Sequence, residues 1–284
     1  MVSKMTPNYM VVGTPKAGTT SFCKALSLHP DVFLTNPKEP FFFCADAIYS
    51  KGLEWYESLY QGSETAQARG EGSAAYSMSE VFPHTIERIA DYSRELKLFF
   101  LVREPYSRIE SHWMELVNQD HHVRYDFNKA VQENQNILIH SGNYLRQLQR
   151  WYEYFPKDAI KVVFFEELIT QPDMVYRDCF EHLGVDFRKW DNHRAVHENR
   201  SVDKRIPNRF LTTKWGGAFV QALCGKLHPR TARRLKRRLF FKKVSGRPEW
   251  SADTRLLVQA QLKADLETFL LNHGKPVDYW GTLT

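Results

Sequence analysis

Tyr9-Met10-Val11-Val12-Gly13-Thr14-Pro15-Lys16-Ala17-Gly18-Thr19-Thr20-Ser21 joins a short apolar, β-branched run to a helical pattern through a turn bounded by glycines. Gly13 and Gly18 have the spacing of a G-x-x-x-x-G loop, and the helical pattern runs from Thr19 to Leu28 before His29-Pro30 ends it. A strand that feeds a helix through such a turn points backbone N–H groups and the positive end of the helix at one place, which suits a phosphate or sulfate oxygen. The hydroxyls of Thr19, Thr20 and Ser21 add donors. An ATP-binding loop carries Lys-Ser/Thr directly after its second glycine; here Thr19-Thr20 stands there and Lys16 sits inside the loop. The stretch therefore predicts an anion cradle without the usual nucleoside-triphosphate geometry, the alternative being a tight turn built from small residues.

Outward from this turn, Val32-Phe33-Leu34 reads as a strand and Asn36-Pro37-Lys38-Glu39-Pro40 as a loop, because two prolines exclude a regular interior. Lys97–Val102 and Ile160–Phe165 read as buried strands, followed by helical patterns at Ser107–Asn118 and Pro172–Leu183. This alternation predicts an α/β fold with a central parallel sheet flanked by helices. Gly142–Tyr154 and Ser251–His273 read as further amphipathic helices, the second capped by Gly274. One domain spanning 1–284 is expected, with no internal repeat.

Leu101-Val-Arg103-Glu-Pro-Tyr-Ser-Arg-Ile-Glu-Ser111-His-Trp places an arginine at a strand end and a serine eight residues later on the next helix. With the glycine-bounded turn, this segment resembles the two nucleotide signatures of sulfotransferases that use 3′-phosphoadenosine 5′-phosphosulfate (PAPS). Lys38-Glu39-Pro40-Phe41-Phe42-Phe43 is similar to the K-E-x-x-F-F segment of the heparan-sulfate branch and its bacterial relatives, and Glu71-Gly72-Ser73-Ala74-Ala75-Tyr76 to that branch's E-K-S-x-x-Y strand. Gly72 stands where the branch has a lysine. Phe164-Phe-Glu-Glu-Leu168, Leu183-Gly184 and Asp278-Tyr279-Trp280 extend the resemblance over nearly the whole chain.

The resemblance implies a phosphate-loop sulfotransferase fold with PAPS as sulfuryl donor, PAP as product and no metal. It implies that Lys16, Ala17, Gly18, Thr19, Thr20 and Ser21 hold the 5′-phosphosulfate, and that Arg103 and Ser111 grip the 3′-phosphate. Lys16 is expected at the oxygen that gains charge as the donor bond breaks, Glu39 as catalytic base and Lys38 as an aid to the transferring group. His112 is the rival base. His193 and His197 have metal-ligand spacing but no third ligand. The acceptor is a hydroxyl or amine, first of a small metabolite, alternatively of a glycan. A small-molecule kinase and a basic RNA- or lipid-binding module are the competing classes.

Composition supports a folded core, with 43% hydrophobic and 25% charged residues over 284 positions. The net charge of +6 is local: residues 204–247 hold 14 Lys or Arg and no acid, leaving 25 basic against 33 acidic residues elsewhere. A basic helical segment is expected at about 204–248, either holding nucleotide through Lys204 or Arg205, attracting an anionic acceptor or membrane surface, or presenting a solvated face. No helix-turn-helix or zinc signature accompanies it, so no nucleic-acid partner is expected. Cys23, Cys44, Cys179 and Cys224 lack disulfide or zinc spacing. Neither a secretory leader nor a run of about 18 apolar residues is present, so a cytoplasmic protein without a membrane span is expected.

Overall fold

The computed structural model describes residues 5–119, 123–124, 126–191 and 247–281, together with the backbone of 205–207 and 241–243. Five short strands form one parallel sheet: β1 (Tyr9–Gly13), β2 (Val32–Leu34), β3 (Ala68–Glu71), β4 (Lys97–Val102) and β5 (Ile160–Phe164). Their order is β2-β3-β1-β4-β5, with Tyr9 set beside Gly70 on one side and Lys97 on the other. The chain leaves β1 toward β2 and later returns to β4 on the opposite flank, so the carboxyl end of β1 is where the winding reverses. That is the crevice in which open α/β sheets bind ligands.

The helices are α1 (Thr19–Leu26), α2 (Asp46–Tyr49), α3 (Gly52–Ser58), α4 (Thr85–Tyr92), α5 (Pro105–Asn118), α6 (Phe127–Glu133), α7 (Gln135–Leu138), α8 (Tyr144–Tyr152), α9 (Phe165–Thr170), α10 (Pro172–Leu183) and α11 (Ala252–Asn272). Alternate strand residues face opposite ways, and both faces are covered. Met10, Val12, Leu98, Phe100 and Val102 pack under α4, α5, α8 and α11, whereas Tyr9, Val11, Phe99 and Leu101 pack under α1 and α10. This double burial explains why β4 reads as an unbroken apolar run. No described helix is long and apolar enough to cross a membrane.

Of the boundaries that differ from expectation, three have a local cause. The Glu71–Tyr76 segment is strand only at Glu71; the Gly72 N–H leaves the ladder for the Lys38 carbonyl at 2.9 Å, and Ala74–Ser77 forms a 3-10 turn. Helix α8 begins at Tyr144, because Asn143 has the non-helical ψ of 74° and His140–Gly142 is a separate 3-10 turn. Phe165 starts α9 rather than ending β5. In the basic segment, β6 (Arg205–Pro207) and β7 (Phe241–Lys243) pair antiparallel. The rest of 208–240, with Lys204, lies outside the described residues, as do His193, His197 and Cys224. Cys23, Cys44 and Cys179 are buried free thiols.

Candidate active site

The turn between β1 and α1 is fixed by two steric demands. Gly18 has φ +90°, in the left-handed region, and a side chain there would meet the Phe165 ring at 2.6 Å. At Gly13 a Cβ would lie 2.2 Å from Ser77 Oγ. Lys16 adopts φ +68°, and the Ala17 N–H donates to the Thr14 carbonyl at 3.2 Å, so the loop folds back at the sheet edge. Ala17 and Thr19 are buried, Lys16, Gly18 and Ser21 are half-buried, and Thr20 is exposed.

Arg103 reaches this loop from the end of β4: its guanidinium donates to the Lys16 carbonyl at 3.1 Å. The same guanidinium lies 4.6 Å from the centre of the Phe165 ring. Phe165 is therefore wedged between Gly18 and Arg103, holding the arginine by its face while its N–H fork stays at the loop. Burial lowers the Arg103 pKa from its ordinary value, with Glu166 opposing the shift. Glu104, the next residue, caps α5 by accepting from the Tyr106 and Ser107 N–H groups at 2.9 and 2.7 Å. Ser111 and His112 are buried on α5.

Lys16 Nζ pairs with Glu115 on α5 at 3.0 Å. Glu115 follows Ser111 by one helical turn, so the face of α5 carrying the serine also carries the partner of the loop lysine. Lys38 and Glu39 lie on the loop after β2 and pair with each other at 2.5 Å. They neighbour α1 through Cys23, whose thiol burial pushes up to about 12 and on which both charges act. A Cβ at Gly72 would sit 2.4 Å from Cys23 Sγ and 3.7 Å from Lys38 Nζ. The departure at position 72 is thus accommodated by a thiol and an ammonium group that fill the neighbouring space.

The structure brings Lys16, Ala17, Gly18, Thr19, Thr20 and Ser21 together with Arg103, and sets Lys38 and Glu39 beside α1. Ser111 lies on α5, the helix that also carries Glu115. Sequence reasoning missed Phe165, Glu115 and the part played by Glu71. Glu71 is fully buried at the end of β3, and burial pushes its carboxyl up to about 7 against three hydroxyl donors, Ser73, Tyr76 and Tyr56. The Glu71-x-Ser73-x-x-Tyr76 spacing was the available signal. Among the described residues, no three His, Cys, Asp or Glu side chains gather as a metal-ligand set.

Residues 6–214 match the family model described as the sulfotransferase domain. Heparan sulfate glucosamine 3-O-sulfotransferase 5 of Mus musculus is 32% identical over 176 residues, which are 58% of this chain and 50% of that protein. Heparan sulfate glucosamine 3-O-sulfotransferase 3B1 of Mus musculus is 26% identical over 250 residues, 84% of this chain and 60% of that protein. The chain thus spans about half to three-fifths of the length of these curated relatives. The crystal structure of a sulfotransferase from Alicyclobacillus acidocaldarius superposes with a TM-score of 0.67 at 22% identity, covering 98% of this chain and 99% of that one, so the two share a fold. On a family match that takes in both the glycine-bounded turn and the Arg103 segment, the chain belongs to the sulfotransferase domain family.

Proposed function

We propose that this protein transfers the sulfuryl group of PAPS to a hydroxyl or amine of a glycan. The observation that carries the reading is the meeting of the β1–α1 loop and the Arg103 fork at 3.1 Å, at the point where the sheet reverses its winding. The residues present fit the donor: a lysine on the loop, an arginine reaching it from the end of β4, amides at the head of α1 and an exposed threonine hydroxyl form an anion-binding set. When bound, PAPS supplies an activated sulfuryl group joined to a phosphate leaving group.

In this reading Lys16, Ala17, Gly18, Thr19, Thr20 and Ser21 hold the 5′-phosphosulfate, with Lys16 placed to stabilise charge on the leaving oxygen. Arg103 and Ser111 hold the 3′-phosphate. Glu39 takes the proton of the acceptor group, and its neutralisation releases the Lys38 ammonium 2.5 Å away for charge on the transferring group. The work of the protein is positioning and charge stabilisation, by analogy with phosphoryl transfer. No metal is assigned a role.

The names of the curated relatives support a glycan over the small metabolite expected first. Incubation of the purified chain with radiolabelled PAPS and separate arms of heparan sulfate, its N-desulfated form and a panel of phenols and hydroxylated metabolites tests this. Label is expected in a glycan arm; label only in the small-molecule arm overturns the acceptor assignment. Calorimetry with PAP is expected to show binding, and its absence overturns the donor assignment.

A further inference from the structure

Glu71 ends β3 as a fully buried carboxylate whose hydrogen-bond donors are hydroxyl groups. Ser73 Oγ donates to Glu71 Oε2 at 2.5 Å, and Tyr76 OH donates to Oε1 at 2.7 Å, with Tyr56 OH also donating to Oε1 at 3.2 Å. The first two hydroxyls each have a second partner. Ser73 Oγ accepts the backbone N–H of Phe41 at 3.2 Å, and Tyr76 OH accepts that of Phe43 at 3.4 Å. Both amides belong to the loop that carries Lys38 and Glu39, and the Lys38 carbonyl of the same loop accepts the Gly72 N–H at 2.9 Å. The loop is thus tied to the end of β3 at three points, two of which pass through the single carboxylate.

The polarity of these relays depends on that carboxylate. A hydroxyl has one hydrogen; while it points at Glu71, a lone pair is left for the loop amide. A proton or an amide NH₂ on either carboxyl oxygen would face a hydroxyl hydrogen instead, and one buried donor would be left without an acceptor. We infer that Glu71 is a positioning residue: acting through Ser73 and Tyr76, it sets the place of the Lys38–Glu39 loop. The assignment rests on the proposed role of Glu39 in proton transfer.

The groups around Glu71 make it the switchable member of the cluster. Tyr9 of β1, Cys23 of α1, Cys44 at the end of the loop, Tyr56 of α3, Tyr60 and Tyr76 are all pushed upward by burial and stay neutral near pH 7. Glu39 acts on Glu71 as a like charge, Lys38 pairs with Glu39, and Arg88 holds the Phe43 carbonyl at 3.2 Å. Burial brings Glu71 itself to about 7, so the fraction carrying both relays changes across neutrality.

Amide hydrogen exchange on the full chain tests the inference without requiring turnover. In Glu71→Gln, exchange is expected to rise about tenfold at Phe41 or Phe43, whichever relay faces the amide nitrogen, the ratio corresponding to one hydrogen bond of ordinary net strength. Exchange at Phe22 in α1 and the affinity for PAP should stay within about twofold of wild type, since both lie on the donor side. Ser73→Ala should release Phe41 alone and Tyr76→Phe should release Phe43 alone. Corrected for intrinsic rates, protection of both amides should rise from pH 6 to pH 8 in wild type and stay flat in Glu71→Gln. With heparan sulfate as probe acceptor, kcat in Glu71→Gln should fall about 10- to 100-fold at constant KM for PAPS, as displacement of a catalytic group implies. Unchanged exchange at Phe41 and Phe43, or a rise spread evenly over the sheet, overturns the inference. So does normal kcat with the affected amide released. If Glu71→Gln does not fold, selective release by the other two variants upholds the relays, and its absence refutes them. Failure of wild type to bind PAP would strike the sulfotransferase reading, while the exchange pattern would still decide what Glu71 holds.

Discussion

Lys16 and Arg103 meet at one carbonyl yet are assigned different work. Arg103 donates to the Lys16 carbonyl, whereas the Lys16 ammonium points to Glu115. Lys16→Ala is expected to lower kcat by about 10²–10³, the loss of about 2.7–4 kcal/mol seen when one preorganised donor is removed, while PAP affinity changes much less. Arg103→Ala should instead weaken PAP about 10- to 100-fold in calorimetry, as loss of a charged hydrogen bond of about 1.5–3 kcal/mol implies. The opposite pattern would exchange the two roles. The pair with Glu115 is partly exposed, at 20% and 34% for the two side chains, and such pairs contribute about 0–1 kcal/mol. A donor that takes Lys16 must displace Glu115, so Glu115→Ala should tighten PAP by no more than about fivefold. Weaker binding in that variant would mean that Glu115 orients the lysine rather than competing for it.

Helix α5 shows how one cap supports a site. Pro105 fixes its first turn, and Glu104 accepts two N–H groups there. Glu104→Ala is expected to cost about 1 kcal/mol, which for a domain of this size is a fall of about 2–4 °C in Tm by calorimetric melting. A larger loss would assign Glu104 more than the cap. The strands were legible where the chain carries an unbroken apolar run: β4, buried on both faces, and β2, a half-buried edge strand, match their expected bounds residue for residue. β3 was not, because Ala68-Arg-Gly-Glu71 has no run of its own and is held as a strand by β1, where Tyr9 packs against Gly70 at a distance that excludes any side chain. The β1–α1 loop and Arg103, which the structure brings together, could be picked out because their signals are local. Glu115 and Phe165 could not, since each reaches the loop from a distant part of the chain, and Glu71 was visible only as a letter in a pattern until its hydroxyl partners were placed.

At the scale of the molecule, stability and loop order draw the Glu71 carboxyl in opposite directions. Its pKa of about 7 in the fold lies above the ordinary value of 4.5, so folding favours the protonated form. The stabilisation from this group is therefore complete below about pH 4.5 and is lost as pH rises through about 7, on the order of 3 kcal/mol in all. Glu71→Gln lacks this dependence. In urea melts, its stability relative to wild type should grow from pH 5 to pH 8; a constant difference would show that Glu71 does not titrate in this range. The placing of β1 between β3 and β4 has a consequence during synthesis. Val11 and Val12 leave the ribosome before β3 and β4, and the neighbours that cover the strand are complete only once Val102 has been made. At about 5–20 residues per second, this leaves the future centre of the sheet open to water for roughly 5–20 s. Nascent chains stalled before Val102 should be cut readily by protease and held by chaperones, whereas those stalled after α10 has emerged should resist cleavage.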